Sequence, residues 1–293
     1  MDLWWTETQT PSLRLGLRCS RVIARARSAY QEVVVLETEQ FGRLLALDDM
    51  VMTTEGDEFV YHEMLTHPAM VACPHPRRVL VVGGGDGGAV REVLRHPTVE
   101  RVVLAELDPL VVELCRRHLP SVAAGLSDPR VELALGDGAR YLGAAPSGAF
   151  DVILVDAPDP LGPAEVLFGE ALFREAARVL APGGVLVLQS ESPFLHGDLI
   201  RRIQADLRRH FPGVWLYWAV VPTYPGSMWT FSLASTGPDP LAEGVPERGA
   251  ALGTRYWSPA VHRAAFALPP FVQGLLAAEP AAPVAATDGE VRR

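Results

Sequence analysis

Short apolar runs alternate with amphipathic stretches over most of the chain from residue 78 onwards. The runs are rich in Val, Ile and Leu, as strands buried on both faces of a parallel sheet are. Strands are predicted at residues 79–82, 130–135, 150–155, 185–188, 214–221 and 229–235. Apolar residues at helical spacing between them, as over residues 109–118, predict intervening helices. The pattern therefore predicts an α/β domain with a mostly parallel sheet and a late antiparallel edge.

A different pattern occupies residues 1–54, where turns separate shorter strand-like runs. These runs are 20–24, 32–36 and 44–47. They predict a small antiparallel β-domain of hairpins, which is too small to be stable alone and is expected to pack on the main domain or on another subunit. The α/β domain, expected to be the catalytic one, is assigned to residues 55–275. Residues 276–293, rich in Ala, Pro and Glu, are expected to form a disordered tail.

The first α/β strand leads into a glycine-rich turn at residues 83–88, GGGDGG. Glycines allow positive φ and close approach of the backbone to a ligand, and the helix predicted to begin near Ala89 directs free N–H groups into the turn. The next strand ends at Glu106, an acidic residue suited to a ribose diol. Strand, turn, helix and strand predict a nucleotide-binding unit in a Rossmann-like sheet of the methyltransferase type.

Asp86, in the middle of this turn, indicates the charge of the nucleotide. A pyrophosphate beside it would be repelled by roughly 4 kcal/mol at a separation of about 4 Å and an effective dielectric constant near 20. A nucleoside that carries a sulfonium or an ammonium would be attracted instead. The alternative is that Asp86 merely caps the following helix.

Acidic residues also follow three successive predicted strands: Glu106, Asp137 and Asp156. Ligands of open parallel sheets bind at the carboxyl ends of the strands, so these carboxylates are expected to converge with Asp86 on one crevice. Each of them alone could be a helix cap. Their recurrence favours a shared site.

The composition limits the choice of partners. Lys and Arg number 26 against 35 Asp and Glu, and the resulting net charge of −9 is unfavourable for binding nucleic acid and favourable for attracting cations. Three scattered cysteines without metal-ligand spacing predict reduced thiols and no metal site. Neither a signal pattern nor an apolar run of membrane-spanning length is present, so a soluble cytoplasmic protein is expected.

A series of motifs in order resembles the spermidine synthase (polyamine aminopropyltransferase) family. One of them, Tyr61-His62-Glu63-Met64, lies in a helix predicted over residues 55–66. The other matching stretches, which cover most of the chain, are 3–7, 28–31, 41–43, 54–59, 83–88, 91–94, 106–108, 136–138, 156–160, 162–164, 223–225 and 256–271. So many motifs in order are more specific than any one of them.

The resemblance implies decarboxylated S-adenosylmethionine as aminopropyl donor and co-substrate, a diamine as acceptor, and 5′-methylthioadenosine as by-product, without a metal or prosthetic group. Asp86 would pair with the propylamine cation. Residues implied to hold the donor nucleoside are Gln31, Glu106, Asp137, Gly138 and Pro163. Residues implied for the acceptor channel are His62, Asp156, Asp159 and Gln189, with Glu191 as a further contact. Tyr61 and Tyr224 would border the reacting amine.

The acceptor amine must be neutral to displace the sulfonium, whereas an alkylamine with a pKa near 10.4 is almost wholly protonated near neutral pH. Asp156 is expected to accept the proton, because burial at a strand end would raise the pKa of its carboxyl and partial desolvation would lower the pKa of the amine. Asp159 would anchor the distal ammonium.

One departure from the family concerns the acceptor. Ala157 and Pro158 stand where many members have two serines between the paired aspartates. Both aspartates remain, so the reaction is expected to survive, with putrescine as the first expectation and agmatine, cadaverine and spermidine as open alternatives. Residues 161–168 are either a mobile lid over the ligand or a rigid surface loop.

Other classes of protein remain as alternatives. An S-adenosylmethionine-dependent methyltransferase would share the sheet and the ribose-binding acid, but the methionine carboxylate of its ligand would face Asp86. A non-catalytic sensor of polyamine or nucleoside would be expected to lose Asp156 or Tyr61, and both are present. A dehydrogenase is disfavoured by repulsion of the pyrophosphate. The N-terminal hairpins and the family resemblance predict a homodimer or a homotetramer.

Overall fold

The computed structural model describes residues 3–159, 162–237 and 239–277, with the side chains of residues 162 and 163 excepted. It contains a five-stranded antiparallel sheet near the N-terminus and a seven-stranded, mostly parallel sheet that follows it. The predicted fold class, a Rossmann-like α/β sheet preceded by a small antiparallel β-domain, is therefore confirmed.

The N-terminal sheet is a meander in which each strand pairs with the next one along the chain. Its strands are β1 (Leu3–Thr10), β2 (Leu13–Arg27), β3 (Glu32–Thr38), β4 (Arg43–Leu47) and β5 (Met50–Thr54). The sequence pattern predicts β3, β4 and the middle of β2. It misses β1 and β5, because their apolar runs are only three residues long and polar residues follow, and these strands are ordered by pairing with β2 and β4.

The two faces of the N-terminal sheet have different surroundings. Val33 and Val35 pack into the core of the α/β domain, whereas Val34 and Leu36 belong to a separate cluster within the small sheet. Successive residues of a strand point to opposite faces, so a single strand serves both clusters. One face of the N-terminal sheet is thereby held against the main domain.

The larger sheet has the strand order β11-β12-β10-β9-β6-β7-β8. Its strands are β6 (Arg78–Gly83), β7 (Arg101–Glu106), β8 (Val131–Leu135), β9 (Phe150–Asp156), β10 (Leu180–Gln189), β11 (Gly213–Val220) and β12 (Met228–Ser235). Strands β6 to β10 are parallel, and β12 pairs antiparallel with β10 and β11. The strand order reverses at β6, which lies between β7 and β9, and open α/β sheets bind their ligands at the carboxyl end of such a strand.

Helices cover both faces of this sheet. They are α1 (Glu58–Ala72), α2 (Gly88–Leu94), α3 (Pro109–His118), α4 (Gly138–Ala144), α5 (Glu170–Val179), α6 (Gly197–Arg208), α7 (Pro259–Ala265) and α8 (Pro270–Ala277). Val79 and Val81 of β6 face the side of α1, α2 and α3, while Leu80 and Val82 face the side of α4, α5 and α6. Burial on both faces explains why the central strands are almost wholly apolar.

Helix α1 begins three residues later than the sequence predicts and continues to Ala72. The backbone N–H of Gly56 donates to the carbonyl of Phe41 at 2.8 Å, and the Asp57 carboxylate accepts from the hydroxyl of Thr54 at 2.6 Å. These bonds prolong the turn after β5 and delay the start of the helix to Glu58.

The C-terminal end of the described chain is helix α8. The predicted tail at 276–293 therefore lies outside the described residues, apart from its first two positions. None of the helices in the described ranges is long and apolar enough to cross a membrane.

Candidate active site

The glycine turn after β6 lies directly against the end of β9. A Cβ atom on Gly83 would collide with the carbonyl oxygen of Asp156, and one on Gly84 would lie 2.7 Å from its Oδ2. Both glycines also have positive φ, 76° and 71°, which most side chains disfavour. Glycine is therefore required here, because it lets the turn and the Asp156 carboxylate share one small space.

Asp86 meets both of the interpretations suggested by the sequence. Its Oδ1 accepts from the backbone N–H of Gly88 at 2.9 Å, at the start of α2, while its Oδ2 lies 3.4 Å from Nε2 of His62. Burial by itself would raise the pKa of this carboxyl, but the charge and hydrogen bond of His62 outweigh it and hold the pKa below its usual value. Asp86 therefore carries a negative charge into the turn while it also accepts from the first N–H group of the helix, whose N-cap is Gly87.

His62 lies on α1 and reaches the turn because Gly88 has no side chain. A Cβ on Gly88 would collide with the imidazole ring. Nδ1 of His62 lies 2.6 Å from the Glu58 carboxylate, one helical turn earlier. Burial alone would lower the pKa of His62, but Asp86 and Glu58 hold it well above its usual value. The ring is thus an imidazolium between two carboxylates.

Asp156 and Tyr61 form the next pair. The Tyr61 hydroxyl donates to Oδ1 of Asp156 at 2.8 Å, whereas the buried Oδ2 has no hydrogen-bond partner within the described ranges. Burial is the main reason why the pKa of Asp156 rises to about 6, with the charge of Asp86 adding to the rise and that of His62 opposing it. A buried carboxylate oxygen without a partner is available to a proton donor.

His62, Asp86 and Asp156 together enclose a small charged space. One side-chain N or O atom of each residue lies within 4.8 Å of the corresponding atoms of the other two. Among the side chains that the structure describes, this is the one group of three His, Cys, Asp or Glu residues with such close spacing. One imidazolium and two carboxylates leave this space with a net negative charge. It therefore attracts a cation, as the sequence predicts for the glycine turn.

Glu106, at the end of β7, forms the other wall of the glycine turn. Its two oxygens accept from the backbone N–H groups of Gly85 at 3.0 Å and Asp108 at 2.8 Å. Burial raises the pKa of its carboxyl to about 7 despite these bonds. Gln31, from the N-terminal sheet, donates to the Asp108 carboxylate at 3.0 Å and so approaches the same region.

Three further residues with predicted roles lie near the start of α4 or in the chain after β9. Asp137 is exposed, and its Oδ1 accepts from the backbone N–H groups of Ala139 and Arg140 at the beginning of α4. Gly138 packs so closely on Val82 that a Cβ would lie 2.6 Å from it. Pro163 belongs to a 3₁₀ helix at Gly162–Phe168, inside the predicted lid segment, and its side chain is outside the described part.

A cleft opens beside Tyr61. Three residues predicted for the acceptor line it: Asp159, Gln189 and Tyr224. The hydroxyl of Tyr224 donates to the carbonyl of Met52 at 2.6 Å, so this loop residue ties the larger sheet to β5. Gln189 donates to the Glu191 carboxylate at 3.3 Å, which places a further acidic group beside the cleft.

Two family sequence models match the chain. The spermidine synthase tetramerisation domain matches residues 3–55, and the spermine/spermidine synthase domain matches residues 58–241, more than half of the chain. The chain belongs to the spermidine synthase family.

Relatives in this family match over almost their full length. The polyamine aminopropyltransferase of Moorella thermoacetica is 47% identical over 276 residues, which cover 94% of this chain and 97% of that protein. The polyamine aminopropyltransferase of Thermoanaerobacter sp. (strain X514) is 44% identical over 278 residues, 94% of this chain and 99% of that protein. The predicted family and enzyme class, an aminopropyltransferase, are therefore confirmed.

Solved spermidine synthase structures have the same fold. A crystal structure of spermidine synthase in complex with the transition state analogue AdoDATO has a TM-score of 0.91 and 38% identity, and the match covers 94% of each chain. The Thermotoga maritima spermidine synthase has a TM-score of 0.88 and 37% identity, also over 94% of each chain. The family uses decarboxylated S-adenosylmethionine as co-substrate, as predicted. The roles of individual residues stay predictions.

Sequence reasoning gave no role to Glu7, which lines the cleft from β1. The buried Glu7 carboxylate accepts from the backbone N–H of Val51 at 2.8 Å and from the side chain of Gln9. Burial raises its pKa to about 7, and the nearby charge of Asp159 contributes to this rise. Glu7 lies in the stretch 3–7 that resembles the family, but only the packing of the two sheets brings it to the cleft.

Proposed function

We propose that the chain transfers the aminopropyl group of decarboxylated S-adenosylmethionine to a diamine, with putrescine as the preferred acceptor and spermidine and 5′-methylthioadenosine as products. The observation that carries this proposal is the negatively charged space between His62, Asp86 and Asp156, which is linked to the cleft by the hydrogen bond from the cleft residue Tyr61 to Asp156. Both substrates are cationic, because the donor carries a sulfonium and an ammonium and the acceptor is a diamine. The negatively charged space attracts cations from either side.

The donor lies along the glycine turn in this proposal. Glu106 binds the ribose, and its fixed position against the Gly85 N–H supports that role. Asp86 pairs with the propylamine ammonium. The remaining residues assigned to the nucleoside are Gln31, Asp137, Gly138 and Pro163.

The acceptor nitrogen attacks the donor carbon next to the sulfonium, in line with the breaking bond. A C–N bond forms, the C–S bond breaks, and its electron pair stays on sulfur, which becomes a neutral thioether. The proton that the amine loses goes to Oδ2 of Asp156, which is buried without a partner in the described chain. Positive charge moves from sulfur to nitrogen during the step, so a carboxylate fixed beside the nitrogen stabilises the transition state more than the ground state.

The far end of the cleft holds the second ammonium of the diamine. Asp159 is the first candidate for this contact, and Glu7 and Glu191 add further carboxylates beside it. Burial raises the pKa of Glu191 well above its usual value, with the charge of Asp159 as the next cause. Carboxylates that repel one another in this way gain from a bound cation, because it removes the repulsion.

The test is a competition between acceptors. The protein is incubated with decarboxylated S-adenosylmethionine and equal amounts of putrescine, agmatine, cadaverine and spermidine, and the products are identified by mass spectrometry. We expect 5′-methylthioadenosine together with spermidine as the main aminopropylated amine. A different main product would reject putrescine and connect the change to Ala157 and Pro158. Absence of 5′-methylthioadenosine with all four amines would reject the proposed reaction.

We also propose that the chain assembles as a homotetramer, with a homodimer as the alternative. The support is the match of residues 3–55 to the family's tetramerisation domain and the exposure of Trp4 and Val22 on the N-terminal sheet, 56% and 49%. Light scattering tests this assignment, and a monomeric mass would contradict it.

A further inference from the structure

A continuous series of ionisable groups, all buried except the partly exposed Arg91, runs away from the donor side of the site, between α1 and α2. It begins with Asp86 and His62, and His62 continues to Glu58 at 2.6 Å. Both oxygens of Glu58 accept from the Arg91 guanidinium, at 2.8 and 3.0 Å. Nε of Arg91 donates to Glu92 at 2.8 Å.

The series ends in two histidines. Glu92 lies 3.2 Å from His67, and the His67 ring lies 3.0 Å from His96. Each carboxylate of the series has a cation beside it: Asp86 has His62, Glu58 has His62 and Arg91, and Glu92 has Arg91 and Arg95. His62 is different, because it is the one cation of the series that also faces the space where the donor's ammonium is proposed to bind.

Charged and titratable groups face the His62 ring from four elements. Glu58 and Tyr61 lie on α1, Asp86 in the glycine turn, Asp156 at the end of β9, and Arg91 on α2 behind Glu58. The ring is buried with only 2% of its surface exposed. In the free protein, the imidazolium is therefore the nearest cation to Asp86.

We propose that His62, as an imidazolium between Glu58 and Asp86, is the counter-ion of the donor pocket in the free protein, and that the donor's ammonium replaces it with release of the His62 proton. This inference rests on the proposed function, because it needs the donor's ammonium beside Asp86. The proton on Nε2 passes to the buffer, and Nδ1–H stays bonded to Glu58. The ammonium keeps its own proton and pairs with Asp86, so this exchange of imidazolium for ammonium leaves the charge beside Asp86 the same, and the sulfonium of the donor adds one positive charge of its own.

The physical reason is the repulsion between two cations beside one carboxylate. An incoming ammonium next to Asp86 disfavours the charged form of His62 and lowers its pKa. Glu58 and Arg91 act as positioning residues in this exchange. Glu58 orients the ring through Nδ1 and favours the imidazolium, and Arg91 offsets part of the charge of Glu58. Loss of Glu58 should therefore lower the pKa of His62, and loss of Arg91 should raise it.

The test measures protons released on binding, by titration calorimetry in two buffers with different ionisation enthalpies. Decarboxylated S-adenosylmethionine is compared with 5′-methylthioadenosine, which lacks the ammonium and the sulfonium. The measurements cover about pH 6 to about pH 10, a range that begins near the ordinary pKa of histidine. At pH 8 and above, Asp156 and Glu106 are mostly ionised already, since their pKa values are about 6 and about 7, so they contribute few protons.

We expect the donor to release up to one proton, with a maximum in this range, and 5′-methylthioadenosine to release far fewer. His62→Gln should bind 5′-methylthioadenosine normally and show no donor-specific release. Glu58→Gln should move the release to lower pH, and Arg91→Met should move it to higher pH. In the double variant Glu58→Gln, Arg91→Met, the pH of proton release should be closer to that of Glu58→Gln than to that of Arg91→Met. The reason is that, once the charge of Glu58 is removed, Arg91 has little charge left to offset.

Two results would overturn this inference while the proposed function stands: donor binding without donor-specific proton release across the whole pH range, or equal release in His62→Gln. The comparison of the two ligands on the unmodified protein decides the matter even if a variant fails to fold. Failure of the protein to bind the donor while it binds 5′-methylthioadenosine would instead reject the proposed function together with this inference.

Discussion

The two carboxylate oxygens of Asp156 have different surroundings, and the difference suits a residue that receives a proton. Tyr61 fixes Oδ1 through a hydrogen bond of 2.8 Å, while Oδ2 is buried without a partner in the described part of the chain. The pKa of about 6 leaves the carboxyl ionised at neutral pH. One oxygen therefore sets the orientation and the other remains free for the amine.

Asp156→Asn keeps the shape of this side chain and removes the proton acceptor. We expect kcat to fall by at least about 100-fold, the order of a lost general base, while binding of 5′-methylthioadenosine stays close to that of the unmodified protein. Steady-state kinetics and calorimetry measure the two quantities. Asp198→Asn, at a surface position with a side chain that is 86% exposed, is the matched control. Turnover of the Asp156 variant within a few-fold of the unmodified protein would reject the assignment.

The pH dependence of turnover follows from the same carboxyl. Below its pKa, which is about 6 in the free protein and is lowered by the bound cations, Asp156 holds a proton and can no longer accept one, so we expect kcat to fall toward acid pH by about tenfold per unit. Above that pH the carboxyl is ionised and its contribution is constant. A pH profile of kcat under saturating substrates measures this limb. An acid limb of the same midpoint in the residual activity of Asp156→Asn would show that another group causes it.

Helix α1 connects the active site to a distant part of the chain. The Glu63 carboxylate accepts from the backbone N–H groups of Arg255, Tyr256 and Trp257 at 2.7 to 2.8 Å. Glu63 follows Tyr61 and His62 directly, and a helix fixes the relative positions of neighbouring residues. The stretch 255–257 therefore supports the helix that holds the site.

Glu63→Ala leaves these three N–H groups without their acceptor. We expect the free energy of unfolding to fall by roughly 2 kcal/mol, since an unsatisfied donor costs about 1 to 3 kcal/mol where it is buried, as at Trp257, and less where it is partly exposed, as at Arg255 and Tyr256. Urea unfolding measures the change. Glu113→Ala on α3, an exposed glutamate, is the control and should change stability little. Equal stability of the two variants would contradict the role of Glu63 as an anchor.

The elements of the fold could be predicted where local signals agree with the tertiary structure. Helix α3 was predicted with both of its ends, because Asp108 caps it and Pro109 occupies its first position. The start of α1 was predicted wrongly, since acidic residues that favour a helix N-terminus belong here to the turn before it. Strand β1 was missed because its order depends on pairing with β2.

At the scale of the whole molecule, the cleft is a joint product of two sheets. Glu7 and Met52 belong to the N-terminal sheet, while Asp159 and Tyr224 lie in loops that follow strands β9 and β11 of the larger one. The alternation of strands and helices places Asp86, Glu106 and Asp156 at one edge of a parallel sheet, so these residues could be found from the sequence. Glu7 could not, because its contact with the cleft depends on how the sheets pack.

Glu7→Gln tests the contribution of the N-terminal sheet. We expect the KM for the diamine to rise about tenfold, the effect of weakening a partly buried charge pair by about 1.4 kcal/mol, with donor binding unchanged. Because the pKa of Glu7 is about 7 and the carboxyl is neutral below it, the KM of the unmodified protein should fall as pH rises through 7. Glu39→Gln, exposed in the turn between β3 and β4, is the control. An unchanged KM in Glu7→Gln would exclude this carboxylate from acceptor binding.

The bonds between Glu63 and residues 255–257 have a consequence for the order of events during protein synthesis. The partners are separated by 192 to 194 positions in the chain. At about 5 to 20 residues per second, a ribosome needs roughly 10 to 40 seconds to make that interval. For this time the Glu63 carboxylate of each nascent chain has none of these backbone donors. Helix α1 therefore gains this support only after residues 255–257 have been synthesised.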